Sequence, residues 1–345
     1  MTMTYSEYQH LQSVGGRAVK SNGQFAADPS EAVEWNFGLL RAGHPGNLEL
    51  TDENRKIANQ LISQYQRFQH TIHVNDATDN IDLTKIWSHP MVKEALGFEF
   101  IGFGQYYGSC VGCGGGNNQA TLGFTDVILR GEAEKIYLPF WPLMYGRSRF
   151  YAGNRSRGEG SLESAWAKGI ADGVLESSES GLPKFYTADG SIQIGKSSEM
   201  VWSDGDSSPC TEYLERSRKH PIEKATVCRN AEDVWNAIGQ LSPVGQGSMY
   251  GYNVVGKDEN GEAIGKRGPR WSHKQTIQGR RIRNGKREFL NVNQWFYQGA
   301  KKVWIPEEDV NWICNDEDGE CFTYQGLVGI PEDKLRWVDW TKLPV

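Results

Sequence analysis

The stretch Gly104-Gln105-Tyr106-Tyr107-Gly108-Ser109-Cys110-Val111-Gly112-Cys113-Gly114-Gly115-Gly116-Asn117-Asn118-Gln119-Ala120-Thr121-Leu122-Gly123-Phe124 is almost free of large side chains beyond its first cysteine. It lacks helix-favouring residues, yet its small side chains suit a helix threaded through a crowded core. Two segments far downstream carry the residue types that turn a thiol into a nucleophile. They are His273, in Trp271-Ser272-His273-Lys274-Gln275-Thr276-Ile277-Gln278-Gly279, and Asn293, in Asn291-Val292-Asn293-Gln294-Trp295. A thiol attacks as thiolate, so it needs a base that also stabilises the anion, and the base needs an orienter. Cys110, His273 and Asn293, in that chain order, fit a cysteine-nucleophile acyl-transfer site.

The bland reading of Cys110 is a small core residue, the usual fate of a lone cysteine. The Gly108-Ser109-Cys110 context beside a matched His and Asn tips the balance toward catalysis. For Cys113 it tips the other way. Cys110-Val111-Gly112-Cys113 is a CxxC, but no second CxxC exists and Cys210 and Cys228 stand alone, so no metal site is expected and Cys113 is assigned to the core. His10, His44, His70, His73, His89 and His220 lie in polar stretches without ligand spacing and read as solvated. Cys314 and Cys321 flank an acidic loop that does not match the spacing of a calcium-binding loop, and it reads as a solvated hairpin tip.

Forty glycines and twelve tryptophans in 345 residues imply many tight turns and many large aromatics in want of a core. The net charge of −6 argues against a general nucleic-acid binder. The local basic run Arg280, Arg281, Arg283, Lys286 and Arg287 reads as a solvated hairpin around Asn284-Gly285. No apolar run approaches the ~20 residues needed to span a bilayer. The amino terminus carries no secretory-signal pattern, so cytoplasmic synthesis is expected.

Residues 1–95 differ from the rest and are expected to form a helical docking region. Pro29 to Trp35 reads as the start of a short helix. Thr51 caps a longer one, whose Ile57, Leu61, Tyr65 and Phe68 share a packing face. Leu138 to Tyr145 is an apolar connector broken by prolines. Helices are expected over 161–175 and after Asn230, followed by strands at Ser248–Val255, Thr276–Arg283, Arg287–Trp295 and Val303–Ile305. Helices first and an antiparallel sheet later give an α+β order.

These segments resemble the papain-like cysteine peptidases, particularly divergent bacterial and viral members. Gly108-Ser109-Cys110 is similar to the family's nucleophile motif, and Gly158-Glu159-Gly160-Ser161-Leu162-Glu163-Ser164-Ala165-Trp166 to the strip beside the substrate backbone, with Gly160 at its glycine position. His273 with Gly279 six residues later resembles the family's histidine strand, and Asn293-Gln294-Trp295 its Asn-Ser-Trp, with Trp295 shielding the Asn–His bond. The likeness spans roughly residues 100–305. It implies a two-lobed fold: a helical lobe over about 96–225 with its central helix at Cys110, and a β lobe over about 226–345 carrying His273 and Asn293.

The separations from Cys110, 163 residues to His273 (273 − 110) and 183 to Asn293 (293 − 110), are long for the family. The family's oxyanion-hole glutamine falls where Gly104 stands, one place before Gln105, and Val111 replaces a tryptophan. Residues 1–95 lack the signature of papain propeptides.

The resemblance implies a Cys110–His273–Asn293 hydrolase with Gln105 and the Cys110 N–H as oxyanion donors, no cofactor, and a peptide or protein substrate. The other reading is a papain-like domain whose activity has faded and which serves as a structural or assembly subunit, for example in a viral particle. Protein partners would then meet it through the amino-terminal region.

Overall fold

The computed structural model describes residues 17–19, 34–36, 52–69, 80–105, 108–132, 134–155, 160–188, 191–194, 201–204, 211–294, 301–316 and 318–327. Two short strands come first, β1 (Arg17–Val19) and β2 (Glu34–Asn36), paired antiparallel. The helix expected at Pro29–Trp35 does not extend to its end: Glu34 and Trp35 lie in β2, and 29–33 fall outside the described residues. β2 runs parallel to the strand that carries His273, at Trp35↔Trp271 and Asn36↔Ser272. A strand edge supplies backbone partners that one short helix in water cannot match.

Helix α1 (Asp52–Ser63) has Asp52 and Glu53 in its first turn, where acids suit the helix dipole. Thr51 lies outside the described residues. Its packing face docks on the rest of the chain. Leu61 is buried among Ala152, Leu162 and Ala165, with Ile57 against the same cluster. Tyr65 meets the edge of Phe322 with centroids 5.2 Å apart, and Phe68 enters a second core. After β3 (Ile81–Asp82) and a 3₁₀ turn, α2 (Pro90–Leu96) is capped by His89, whose side chain accepts from the Met91 N–H at 3.2 Å. His89 is thus a half-buried cap rather than a solvated residue. His70 and His73 lie outside the described residues.

The small-residue stretch forms α3 (Cys110–Ile128), buried along its length apart from Gly123. A helix surrounded on all sides needs no apolar stripe, which is why this one shows none. Its glycines are seats for tryptophans: a Cβ on Gly115 would lie 2.0 Å from the Trp166 ring, and one on Gly112 2.7 Å from Trp141. Its polar residues find partners across the core. Thr121 accepts from the Trp87 indole at 2.8 Å and donates to Gln278, while Asn117 Oδ1 accepts from the Phe103 N–H at 2.7 Å.

The proline-broken connector turns out to end in α4 (Trp141–Tyr151), because Pro142 falls in the first turn, where no amide donor is missed. Helix α5 (Glu163–Ala171) follows, with Leu162, Ala165, Trp166 and Ile170 buried. A small hairpin, β4 (Tyr186–Ala188) and β5 (Ser191–Gln193), and α6 (Thr211–Ser217) complete this half.

The second half is a sheet. It comprises β6 (Ile222–Val227), β7 (Val244–Lys257), β8 (Ala263–Arg283), β9 (Lys286–Asn293), β10 (Lys301–Pro306) and β11 (Glu320–Leu327). Helices α7 (Ala231–Gly239) and α8 (Glu307–Asn315) pack on it. Asn230 caps α7 by accepting from the Asp233 N–H at 2.8 Å. The order is β1-β2-β8-β7-β11-β6, and β9 lies antiparallel to both β8 and β10. The turn signals hold: Gly261, Asn284 and Gly285 all take positive φ, the last two in the two-residue pattern that matches hairpin twist.

Two sequence expectations fail in this half. The basic run is not simply solvated, since Arg280 and Arg281 are buried. Arg280 donates to the Trp235 carbonyl at 3.0 Å; Arg281 pairs with Asp258, Glu262 and Glu288, each at 2.7 Å; Arg283 joins Glu288, and Arg287 joins Glu307. Carboxylates from the neighbouring hairpin and helix draw these cations inward. The acidic loop is not a hairpin tip either. It links α8 to β11, and Asp318 pairs with Arg55 at 3.1 Å.

Candidate active site

Cys110 is the first residue of α3, where unpaired helical N–H groups give the positive end of the dipole. His273 lies in β8 opposite Ser248 of β7, and Asn293 is the last residue of β9. The sheet register brings the last two together: His273 Nε2 is 3.0 Å from Asn293 Oδ1. Because an amide oxygen only accepts, the neutral imidazole carries its proton on Nε2, which fixes Nδ1 as the basic nitrogen. The Cys110 thiol reaches the same strand one peptide along, accepting from the Lys274 N–H at 3.4 Å.

Cys110 is wholly buried and His273 is 1 % exposed. Burial pushes the thiol up to about 12, against the opposing pull of the Lys274 N–H and ammonium and of the Val111 N–H. Burial also pushes the imidazole down to about 3, partly offset by its bond to Asn293. As described, then, the pair is neutral thiol and neutral imidazole. Water or substrate must reach it before a thiolate–imidazolium pair gains stability.

The remaining sequence candidates are placed as follows. Gln105 is buried, and its backbone N–H donates to the Gln294 carbonyl at 3.3 Å, so its loop is tied to the end of β9. Gly160 has φ +106°, a conformation that favours glycine, and its carbonyl accepts from Asn154 at 2.7 Å. Trp295, like 106–107 and 156–159, lies outside the described residues. Cys113 is buried, its sulfur 3.5 Å from the Gly104 carbonyl.

Four residues around the site escaped the sequence reading. Gln294 uses one amide nitrogen to bind the carbonyls of Cys110 at 3.1 Å and Lys274 at 2.6 Å, stapling helix to strand. Tyr145 accepts from the Gly160 N–H at 2.8 Å and donates to the Gly108 carbonyl at 2.6 Å. Lys274 and Glu163 form a fully buried ion pair at 2.5 Å. A legible hint existed only for Lys274, a charge set in a strand beside the candidate base.

The solved structure of xylellain, a cysteine protease from Xylella fastidiosa, superposes with a TM-score of 0.50 at 14 % identity, covering 76 % of this chain and 92 % of that one. The chain has a papain-like fold. The proCathepsin B S9 of Trypanosoma congolense covers more of the chain, 96 %, at 11 % identity and a TM-score of 0.45, and the digestive procathepsin L 3 of Tenebrio molitor matches at 13 % and 0.44. No family model matches the sequence, and no curated protein does. In papain-like terms, α3 is the central helix of the helical lobe and β8–β9 belong to the β lobe. No helix among the described residues is long and apolar enough to cross a membrane, and no cluster of three metal-ligating side chains occurs among them.

Proposed function

We propose that the chain is a cysteine peptidase or related amide hydrolase in which Cys110 is the nucleophile, His273 the base and Asn293 its orienter. The bond between His273 and Asn293, one peptide from the N–H that faces Cys110 Sγ, carries this reading. The imidazole Nδ1 takes the thiol proton and the thiolate attacks the substrate carbonyl carbon. The Cys110 N–H at the helix start stabilises the resulting oxyanion, with Gln105 as second donor. The imidazolium then protonates the leaving amine, giving a thioester, which water deprotonated by His273 hydrolyses to regenerate the thiol. A removed oxyanion donor typically costs ~3 kcal/mol of barrier, so Gln105 sets the rate available.

The burial of Cys110 and His273 favours a second reading, a papain-like subunit kept for assembly rather than catalysis. A cysteine-directed epoxide probe separates the two. Wild type labels and Cys110→Ala does not if the chain is a peptidase. Wild type that stays unlabelled beside a reactive papain-like control leaves the assembly reading.

A further inference from the structure

His273 and Lys274 are neighbours on β8, so their side chains leave opposite faces of the strand. His273 turns to Asn293, and Lys274 turns into the interior between the sheet and α3. Room for it comes from a missing side chain: a Cβ on Gly114 would press on Lys274 Cγ and Cε at 3.3 Å. The ammonium meets Glu163 of α5 at 2.5 Å, and both side chains are 0 % exposed. Glu163 Oε1 also accepts from the Tyr324 hydroxyl of β11, and a Cβ on Gly245 would sit 2.0 Å from that oxygen. Glu320 stands close by, its Oε2 accepting from the Ser164 N–H at 2.6 Å.

A buried pair of this kind stabilises a fold no better than apolar residues of the same size. Stability alone therefore does not explain it, whereas its place behind the thiol does. We propose that Lys274, held by Glu163, is a positioning residue for Cys110: its backbone N–H faces Sγ and its ammonium supplies positive charge to the thiolate. This rests on Cys110 being the nucleophile. The charged groups facing the ammonium are Glu163 from α5, Glu320 from β11 and Cys110 from α3. Burial pushes Lys274 down and Glu163 up; their short contact opposes both shifts, and the Tyr324 hydroxyl opposes the one on Glu163. The same ammonium lowers the Cys110 thiol, more than the farther Glu163 raises it. When the site opens to water, the burial penalty on the thiol fades, while the Lys274 N–H and a screened share of its positive charge still act on the thiolate.

The test is the pH dependence of Cys110 alkylation by iodoacetamide, followed on the Cys110 peptide by mass spectrometry. The full-length wild type is compared with Lys274→Met and with Lys274→Met/Glu163→Leu, each checked for folding by circular dichroism. Opening of the buried site scales the rate at every pH, so the titration midpoint is the readout. The double variant replaces the pair by apolar groups and keeps the test alive if the single one unfolds. A wild-type midpoint well below the ordinary ~8.5, and variant midpoints 1–2 units higher, are expected, a roughly 10- to 100-fold slower reaction near pH 6. Variant midpoints equal to a depressed wild-type value overturn the role of Lys274 and leave the nucleophile standing. A wild-type midpoint near ~8.5 overturns the nucleophile and this proposal together.

Discussion

Asn293 Oδ1 and His273 Nε2, 20 residues apart in the chain, lie 3.0 Å apart inside the protein. Strands β8 and β9 pair at Thr276↔Val292, which carries the end of one alongside the middle of the other. The contact fixes both the tautomer and the orientation of the imidazole. Asn293→Ala is expected to lower kcat/KM on a fluorogenic peptide by about 10- to 100-fold, the loss of one buried hydrogen bond worth ~1–3 kcal/mol, with KM little changed. Unaltered kinetics would remove Asn293 from the mechanism.

Acid should destabilise the protein through His273. Its pKa is lowered from 6.5 to about 3 by burial, so between those values the unfolded chain binds a proton that the native chain refuses. Stability therefore falls as pH drops below 6.5, by about 2 kcal/mol between pH 6.5 and 5. Urea titrations at the two pH values check this, and His273→Gln should lose that part of the slope.

Gly115→Ala would place a methyl group 2.0 Å from the Trp166 ring in the middle of α3. Overpacking of this kind costs about 1–3 kcal/mol or more, despite alanine's better helix propensity. Chemical denaturation gives the value; a stabilised variant would mean that Trp166 moves freely.

The sulfurs of Cys314 and Cys321 are 3.4 Å apart, both buried where α8 turns into β11. Incubation with oxidised glutathione should join them, with release of reduced glutathione and loss of two titratable thiols. Cys321→Ser should keep Cys314 from forming this intramolecular bond. Thiol counts that stay constant after prolonged oxidation would contradict this.

Deleting residues 1–95 is expected to uncover apolar surface, because Leu61 covers Leu162 and Ala165 while Tyr65 covers Phe322. Increased binding of an apolar dye and lower solubility are the measurements; a truncated chain as soluble as the full one would count against it.

Much of this fold was readable because its punctuation is local. Asn230 caps α7, Asn284-Gly285 turns β8 into β9, and the run after Cys110 is small because two tryptophans sit against it. What escaped depends on pairing over long distances. Val33-Glu34-Trp35 follows a helix-like opening, yet β2 answers to the backbone of Trp271 and Ser272. Arg280 and Arg281 look like solvent residues until Trp235, Asp258 and Glu288 arrive from elsewhere. Around the site, residue types and order pointed to Cys110, His273 and Asn293. Nothing local distinguished Gln294, Tyr145 or Glu163, whose work is done by bonds to residues far along the chain.

Tyr145 ends on one oxygen that serves two segments at once, the carbonyl of Gly108 before the thiol and the amide of Gly160 beyond it. That atom is a shared hinge pin. Gly108 and Gly160 cannot draw apart without one of these two bonds breaking, so any separation of the two segments is stepwise rather than graded. Phenylalanine would fill the same space and leave Gly108 and Gly160 free to drift separately.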